Sequence, residues 1–383
     1  MFTVQGEGRG HMTQAIAMSE MLQRRGHQIV AVVAGTNQTR SLPTFFEQAF
    51  SAPVRPILSP GFSLKQHRSI SMPATIANLI RKLPAYRRSL ATIRQTIGES
   101  QPDLIINFLE PLMGVYNLLN AHKIPVLAVG HQYMLEHPDF VHEKKFRMQQ
   151  AGMKFYVAVT GARSARLALS FYHAPDLPER NFFVSPPILR RQLFALNADG
   201  SGGHLLIYLL NHGYAEEIIQ WHRQNPAIPI HCFYDKPDAP AEERMDANLT
   251  FHRIHGEKFL RLMATARGVA CTAGFESVSE GAYLGKPLLL IPVENHLEQY
   301  LNACDAERAE LGLHDSAFRL SRLLEPPKGE ATARFREWVN QAEAIEVRAV
   351  EAVARPSCPP IPIRTGEAPV PVHGEVLTRL VRR

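Results

Sequence analysis

Residues 270–303 read ACTAGFESVSEGAYLGKPLLLIPVENHLEQYLNA. Residues 268–272 are a short apolar run that reads as a buried strand, and Ala273-Gly274 supplies a tight turn. From Phe275 a helical period begins, with Val278, Tyr283 and Leu284 available for one face, and it stops at Gly285. A second buried strand, 287–292, follows at once. A polar loop, 293–296, then opens another helix. This twofold alternation of strand, loop and helix builds a parallel sheet.

The polar residues of this unit are placed as a site would need them. Gly274 lets a backbone approach a ligand closely. The helix start at Phe275-Glu276 offers unpaired N–H groups and a positive dipole end, which suits a phosphate. Glu280, one turn further in, is an acceptor for a ribose diol. Glu298 and Gln299 open the next helix, where their side chains can grip sugar hydroxyls. Taken singly, each residue reads equally well as a solvated helix residue or a plain turn glycine. The ordered set points to a nucleoside diphosphate carrying a sugar.

In its order and spacing this set resembles the GT-B glycosyltransferases, especially the branch with the peptidoglycan N-acetylglucosaminyltransferase that makes lipid II. The donor motif of that family appears here as Gly274, Ser279-Glu280, Gly285-Lys286-Pro287, Gln299 and Asn302-Ala303. A weaker resemblance runs from about residue 3 to about residue 353. One departure stands out: Cys271-Thr272 occupies the place where many plant-type relatives have His-Cys, so no histidine contact to the phosphate is carried over.

Composition bounds the reading. The 383 residues, 45% hydrophobic and 20% charged, suffice for two domains with their own cores. The four cysteines, Cys232, Cys271, Cys304 and Cys358, form no CxxC pair, as expected of a reduced, cytosolic chain. Neither HExxH nor a DxD motif is present, and no metal is expected. No segment approaches the ~20 apolar residues of a membrane span, and no signal peptide is expected. The start is abrupt: only residues 1–5 are left for a first strand. Residues 1–187 hold 20 Lys and Arg against 11 Asp and Glu, a balance of +9; residues 188–383 hold 22 against 25, a balance of −3. The basic half suits an anionic lipid, nucleic acid or anionic acceptor, or serves solubility alone.

Along the first half, residues 3–5 read as a strand end, 6–11 as a glycine-rich turn, 12–25 as a helix and 29–34 as a strand. The glycines are spaced GxGxG rather than GxGxxG, and Ala34-Gly35-Thr36 has no acid for a ribose, which argues against a nicotinamide cofactor. The family resemblance explains the loop better. It places His11 as the base that takes a proton from the acceptor, which an imidazole of pKa ~6.5 can do; the plain alternative is a helix-capping histidine. Gly8, Arg9 and Gly10 would face the acceptor, although Arg9 reads equally as a solvated loop charge. Pro53, Pro56, Pro60 and Gly61 break the chain. Residues 63–98 then interleave Lys65, Arg68, Arg81, Lys82, Arg87, Arg88 and Arg94 with aliphatic residues, interrupted at Pro73 and Pro84. This basic amphipathic region reads either as a membrane-surface element or as a helix pair on the sheet. Residues 103–108 are a buried strand. Glu110 lies just past it, near where plant-type relatives place the acid that orients the catalytic histidine; a solvated helix-start acid is the alternative. Residues 126–130 and 155–160 read as further strands, with His131-Gln132 lining the acceptor cleft.

Residues 185–203 read as a linker. Arg190 lies near a phosphate-binding arginine of the relatives. Residues 205–210, 228–234 and 249–254 read as strands. The loop that opens at Asn211 points at the diphosphate, and Phe259 packs either beside the base or in the core. After residue 303 the chain reads as mostly helical to about 354, with the last helix crossing back to the first domain. Residues 355–372 hold six prolines.

The expected architecture is α/β: two Rossmann-like domains facing a cleft, 1–187 for the acceptor and 188–354 for the donor, followed by a Pro-rich tail, 355–383. Donor-binding residues would be Arg190, Asn211, Phe259, Thr272, Gly274, Phe275, Glu276, Ser277, Glu280, Glu298 and Gln299. Acceptor residues would be Gly8, Arg9, Gly10 and His131, with His11 and Glu110 catalytic. By resemblance the reaction is an inverting, metal-independent transfer from a UDP-sugar, with no cofactor and no nucleic-acid partner. The acceptor is a hydroxyl compound, lipid-linked if the basic region sits on the inner face of the cell membrane. Two alternatives stay open: a UDP-sugar 2-epimerase of the same fold, and a non-enzymatic binder of anionic lipid or nucleic acid.

Overall fold

The computed structural model describes residues 1–6, 8–36, 42–61, 64–65, 69–70, 78–120, 123–142, 146–198, 201–209, 212–236, 239–324 and 329–355. The first sheet grows from a βαβ unit: β1 (Phe2–Gln5), α1 (Arg9–Arg24) and β2 (Val32–Thr36). A short α2 (Thr44–Glu47) leads to β3 (Val54–Leu58). A two-stranded hairpin follows, β4 (Leu64–Lys65) with β5 (Ser69–Ile70). The chain then runs through α3 (Leu83–Ser100), β6 (Ile105–Phe108), α4 (Pro111–Leu119), β7 (Val126–Gly130), α5 (Arg147–Thr160), β8 (Ala165–Leu169) and β9 (Phe182–Ser185). The seven main strands lie in the order β3-β2-β1-β6-β7-β8-β9, all parallel. Val32, Val33 and Ala34 are all fully buried, as a strand covered by helices on both faces requires.

Between Ser185 and Leu205 the chain passes to a second sheet. Its elements are β10 (Leu205–Leu209), α6 (Ala215–Gln224), β11 (Ile230–Tyr234), β12 (Glu242–Arg244), β13 (Leu249–Arg253) and α7 (Gly256–Thr265). Next come β14 (Gly268–Cys271), α8 (Phe275–Tyr283), β15 (Leu288–Leu290), α9 (Leu297–Arg308) and β16 (Leu313–His314). The order is β12-β13-β11-β10-β14-β15-β16, parallel except for β12. Two helices close the described chain, α10 (Gly329–Val339) and α11 (Ala342–Ala354). α11 packs against β7, β8 and β9 of the first sheet, and its Glu343 pairs with Arg24 and Arg25 at 3.1 and 2.7 Å. No described helix is long and apolar enough to cross a membrane.

Several expectations are corrected. Residues 155–160 are not a strand but the end of α5. Val157 and Thr160 are buried while Phe155 is exposed, a helical rather than an alternating pattern. Pro56 does not exclude β3, because β3 is an edge strand and an edge tolerates a residue without an N–H. Leu64–Lys65 and Ser69–Ile70 form a hairpin, not helix. Pro84 opens α3 instead of breaking it, since the first turn needs no N–H from proline. α1 begins at Arg9, so Gly10 and His11 stand in its first turn. β8, β12 and β16 have no counterpart in the sequence reading.

Candidate active site

Both sheets present their carboxyl edges to a shared cleft. On the second sheet, residues 272–274 carry the chain from β14 into α8. Ala273, not Gly274, takes the left-handed turn: its φ is 52°, while Gly274 stays extended at −70°. That conformation costs a residue with a Cβ about 1–2 kcal/mol. Asn302 Nδ2 donates to the Ala273 carbonyl at 3.1 Å and holds the turn in place. Gly274 caps α8 without a side chain, so the first N–H groups of the helix receive no capping bond from it. Among the described residues, a Cβ added there would meet only Ser277 Oγ, at 4.0 Å. Just before the turn, Thr272 Oγ1 is buried with no hydrogen-bond partner among the described residues.

One turn into α8, Glu280 is buried and gripped side-on by Arg190, Nε to Oε1 at 2.6 Å and Nη2 to Oε2 at 2.7 Å. Burial works against the arginine charge, but the Glu280 carboxylate outweighs it and leaves the Arg190 pKa raised. Glu276 points across the cleft, where Gln14 Nε2 donates to its Oε1 at 2.5 Å. Burial, reinforced by the Glu280 charge, pushes the Glu276 carboxyl up to about 8. Gln14 also meets His11: Nδ1 lies 3.4 Å from its Oε1, which puts the proton on Nδ1 and leaves Nε2 as the acceptor. Burial lowers the His11 pKa, and the Glu298 carboxylate and Gln14 oppose that shift. The imidazole is therefore neutral near pH 7 and able to take a proton.

Further along the cleft, Gln132 Nε2 donates to Glu298 Oε1 at 2.8 Å. Gln299 Oε1 accepts from the Val293 N–H at 2.8 Å and shapes the loop before α9. His131 stacks on Phe275, ring centroids 4.2 Å apart. Its Nδ1–H donates to the Leu169 carbonyl at 2.7 Å, and its Nε2 lies 3.7 Å from Asp305 Oδ2. Burial drives the His131 pKa down to about 4 and the Asp305 pKa up to about 7. The space left among His131, Gln132, Glu298 and Asn302 is about 10 Å³, room for one water at most. A larger cavity of about 310 Å³ lies elsewhere, walled by Phe171, Leu311, Phe335 and Trp338, and the α8 start does not line it.

The model of glycosyl transferase family 1 matches residues 1–323. The chain belongs to that family. Solved structures share its fold. The glycotransferase of kitacinnamycin is 16% identical with a TM-score of 0.64, covering 92% of this chain and 98% of its own. CalG4, the calicheamicin glycosyltransferase, is 16% identical with a TM-score of 0.60, covering 94% and 98%. UGT2 of Phytolacca americana, solved with UDP-2fluoro-glucose and pterostilbene, is 13% identical with a TM-score of 0.55, covering 92% and 94%. No curated protein matches the sequence. The two facing parallel sheets are those of a GT-B glycosyltransferase.

The glycosyltransferase thus brings together His11, Arg190, Thr272, Gly274, Phe275, Glu276, Glu280, Glu298 and Gln299. Ser277 stands beside them in the first turn of α8. Other expected site residues are placed differently. Glu110 is buried and caps α4: its Oε1 accepts from Leu112 N at 3.0 Å and from Ser59 Oγ at 2.6 Å. Its Oε2 fills the space where a Gly35 Cβ would stand, 2.0 Å away, which is why residue 35 must be glycine. The side chain that meets the His11 ring is Gln14. Phe259 is a core residue, against Tyr208 and Phe233 at 5.4 and 5.3 Å. Gly8 caps α1, and the Arg9 guanidinium lies over the Phe45 ring. His131 is buried between the sheets instead of lining an open cleft. Asn211 lies outside the described residues. Sequence reasoning missed Gln14 and Asp305. Gln14 carried a signal, since it follows His11 by three residues and so shares its helix face; Asp305 carried none.

Proposed function

We propose that this glycosyltransferase moves a sugar from a UDP-sugar to a hydroxyl acceptor, with inversion and without a metal. The acceptor oxygen attacks the anomeric carbon, and the bond from that carbon to the diphosphate oxygen breaks. The electron pair leaves with the diphosphate, and the acceptor proton goes to His11 Nε2. The observation that carries this reading is the uncapped start of α8, with Glu280 held one turn away and His11 reaching the same helix through Gln14 and Glu276. Helix N–H groups there stabilise the charge that develops on the leaving diphosphate. UDP is the first nucleotide to test, since the plant structure of the same fold holds UDP-2fluoro-glucose.

The test is a thermal-shift screen of sugar nucleotides followed by product analysis. A donor at 100 times its dissociation constant adds about 2.7 kcal/mol to stability. A new glycoside confirms transfer. An isomerised nucleotide sugar without glycoside points to an epimerase. No shift with any sugar nucleotide removes the proposal.

For the acceptor, we infer a lipid-linked hydroxyl compound met by a cytoplasmic enzyme at the anionic inner face of the cell membrane. The supporting observation is the entry to α3, where Leu79, Ile80 and Leu83 are exposed among Arg81, Lys82, Arg87 and Arg88. An apolar and basic face of this kind suits the interface of an anionic bilayer.

A further inference from the structure

We propose that Arg190 is a positioning residue: it holds Glu280 charged and oriented for the two hydroxyls of the donor's ribose, rather than gripping the diphosphate. The inference rests on the nucleotide-donor reading above and assigns a division of labour within that site.

Arg190 stands on the segment that joins the two sheets, at the head of a short turn spanning Arg191–Ala195. Its fork faces Glu280 side-on, and its third nitrogen, Nη1, lies 3.4 Å from the Gly256 carbonyl at the start of α7. A Cβ added to Gly256 would come within 3.1 Å of that nitrogen, so the loop backs the guanidinium and keeps it turned toward Glu280. Three of the five guanidinium N–H donors are therefore engaged by protein.

Glu280 is only 2% exposed, and a buried carboxylate needs a counter-charge to stay ionised. Arg190 supplies it. A carboxylate offers about four lone-pair sites. The side-on fork takes one on each oxygen, which leaves one on each oxygen for two O–H donors. The vicinal 2′- and 3′-hydroxyls of a ribose match that pair in number and spacing. A phosphate offers only acceptors to this carboxylate and would be repelled by it. The arginine thus converts a buried acid into a diol receptor. A site built to accept from a hydroxyl rejects the analogue that lacks it.

The experiment measures binding of UDP, 2′-deoxy-UDP and uridine by calorimetry to the full-length protein, as wild type, Arg190→Ala, Arg190→Lys and Glu280→Gln. Wild type should prefer UDP over 2′-deoxy-UDP by about ten- to a hundredfold, the scale of one hydrogen bond to a charged group. Arg190→Ala should weaken UDP and uridine by the same factor and bring the ribose preference close to one, as should Glu280→Gln. Arg190→Lys keeps the charge but loses the fork, and should recover part of the preference. It also serves if the alanine variant, with an unpaired buried acid, does not fold. An Arg190 variant that weakens UDP but not uridine would make Arg190 a diphosphate ligand and overturn the proposal. An unchanged ribose preference in folded Arg190→Ala or Arg190→Lys overturns it too. If wild type binds UDP and 2′-deoxy-UDP alike, the diol assignment falls while the donor reading stands. If wild type binds no nucleoside diphosphate at all, both fall.

Discussion

Glu276 places a carboxyl in the first turn of α8, where the leaving diphosphate is proposed to sit. An ionised acid there would repel the donor. Burial first, then the neighbouring Glu280 charge, holds this carboxyl protonated up to about pH 8. A bound diphosphate would raise that pKa further, so donor binding should be linked to retention of the proton. Between pH 7 and 9 the protonated fraction falls about tenfold, worth about 1.4 kcal/mol of binding free energy. UDP itself adds little to the slope, because the second phosphate pKa is about 6. UDP affinity should therefore drop about tenfold across this range in wild type and stay flat in Glu276→Gln, measured by calorimetry at pH 7, 8 and 9. The opposite sign is equally informative. If the donor displaced Glu276 into water, binding would release the proton and affinity would rise between about pH 5 and 8. That result, or identical profiles for the two proteins, would refute the reasoning.

Three further outcomes are expected. His11→Ala should cut turnover by about 10²–10⁴-fold with UDP affinity little changed; near-full turnover would move the base elsewhere. The quadruple change of Arg81, Lys82, Arg87 and Arg88 to Gln should abolish salt-sensitive co-sedimentation with anionic vesicles, and negligible sedimentation of wild type would end the membrane reading. Glu346 is buried on α11, and burial pushes its carboxyl up to about 8 from an ordinary 4.5. The folded protein keeps a proton that the unfolded chain loses above 4.5, so this group's contribution to stability falls as pH rises from about 4.5 to 8. Glu346→Gln should gain on wild type in urea unfolding by up to about 2–3 kcal/mol between pH 5 and 7, and parallel curves for the two would count against the buried acid.

Local order was legible where sequence period and strand coverage agree. The unit from β14 to α9 could be read because a strand buried on both faces is an unbroken apolar run, and α8 stops at Gly285, whose φ of 71° suits glycine. Glu276, Glu280, Glu298 and Gln299 followed from that framework, as helix starts at a sheet edge. Where the two signals conflict, the reading failed. Residues 155–160 are β-prone in composition but helical in their burial, and Val54–Leu58 hides a strand behind a proline that only an edge position tolerates.

The sequence by itself determined the α/β alternation, the turn between β14 and α8 and the acidic residues beside it, because these depend on spacing over a few residues. Only the tertiary structure decided which groups meet. Gln14 reaches Glu276 across 262 positions, Arg190 clamps Glu280 across 90, and His131 stacks on Phe275. It also gave Glu110 its cap on α4 and turned Ala273, rather than Gly274, into the left-handed residue. The physical reason is that a side chain's charge, tautomer and partners are set by burial and by neighbours brought in from distant elements, which no local period encodes.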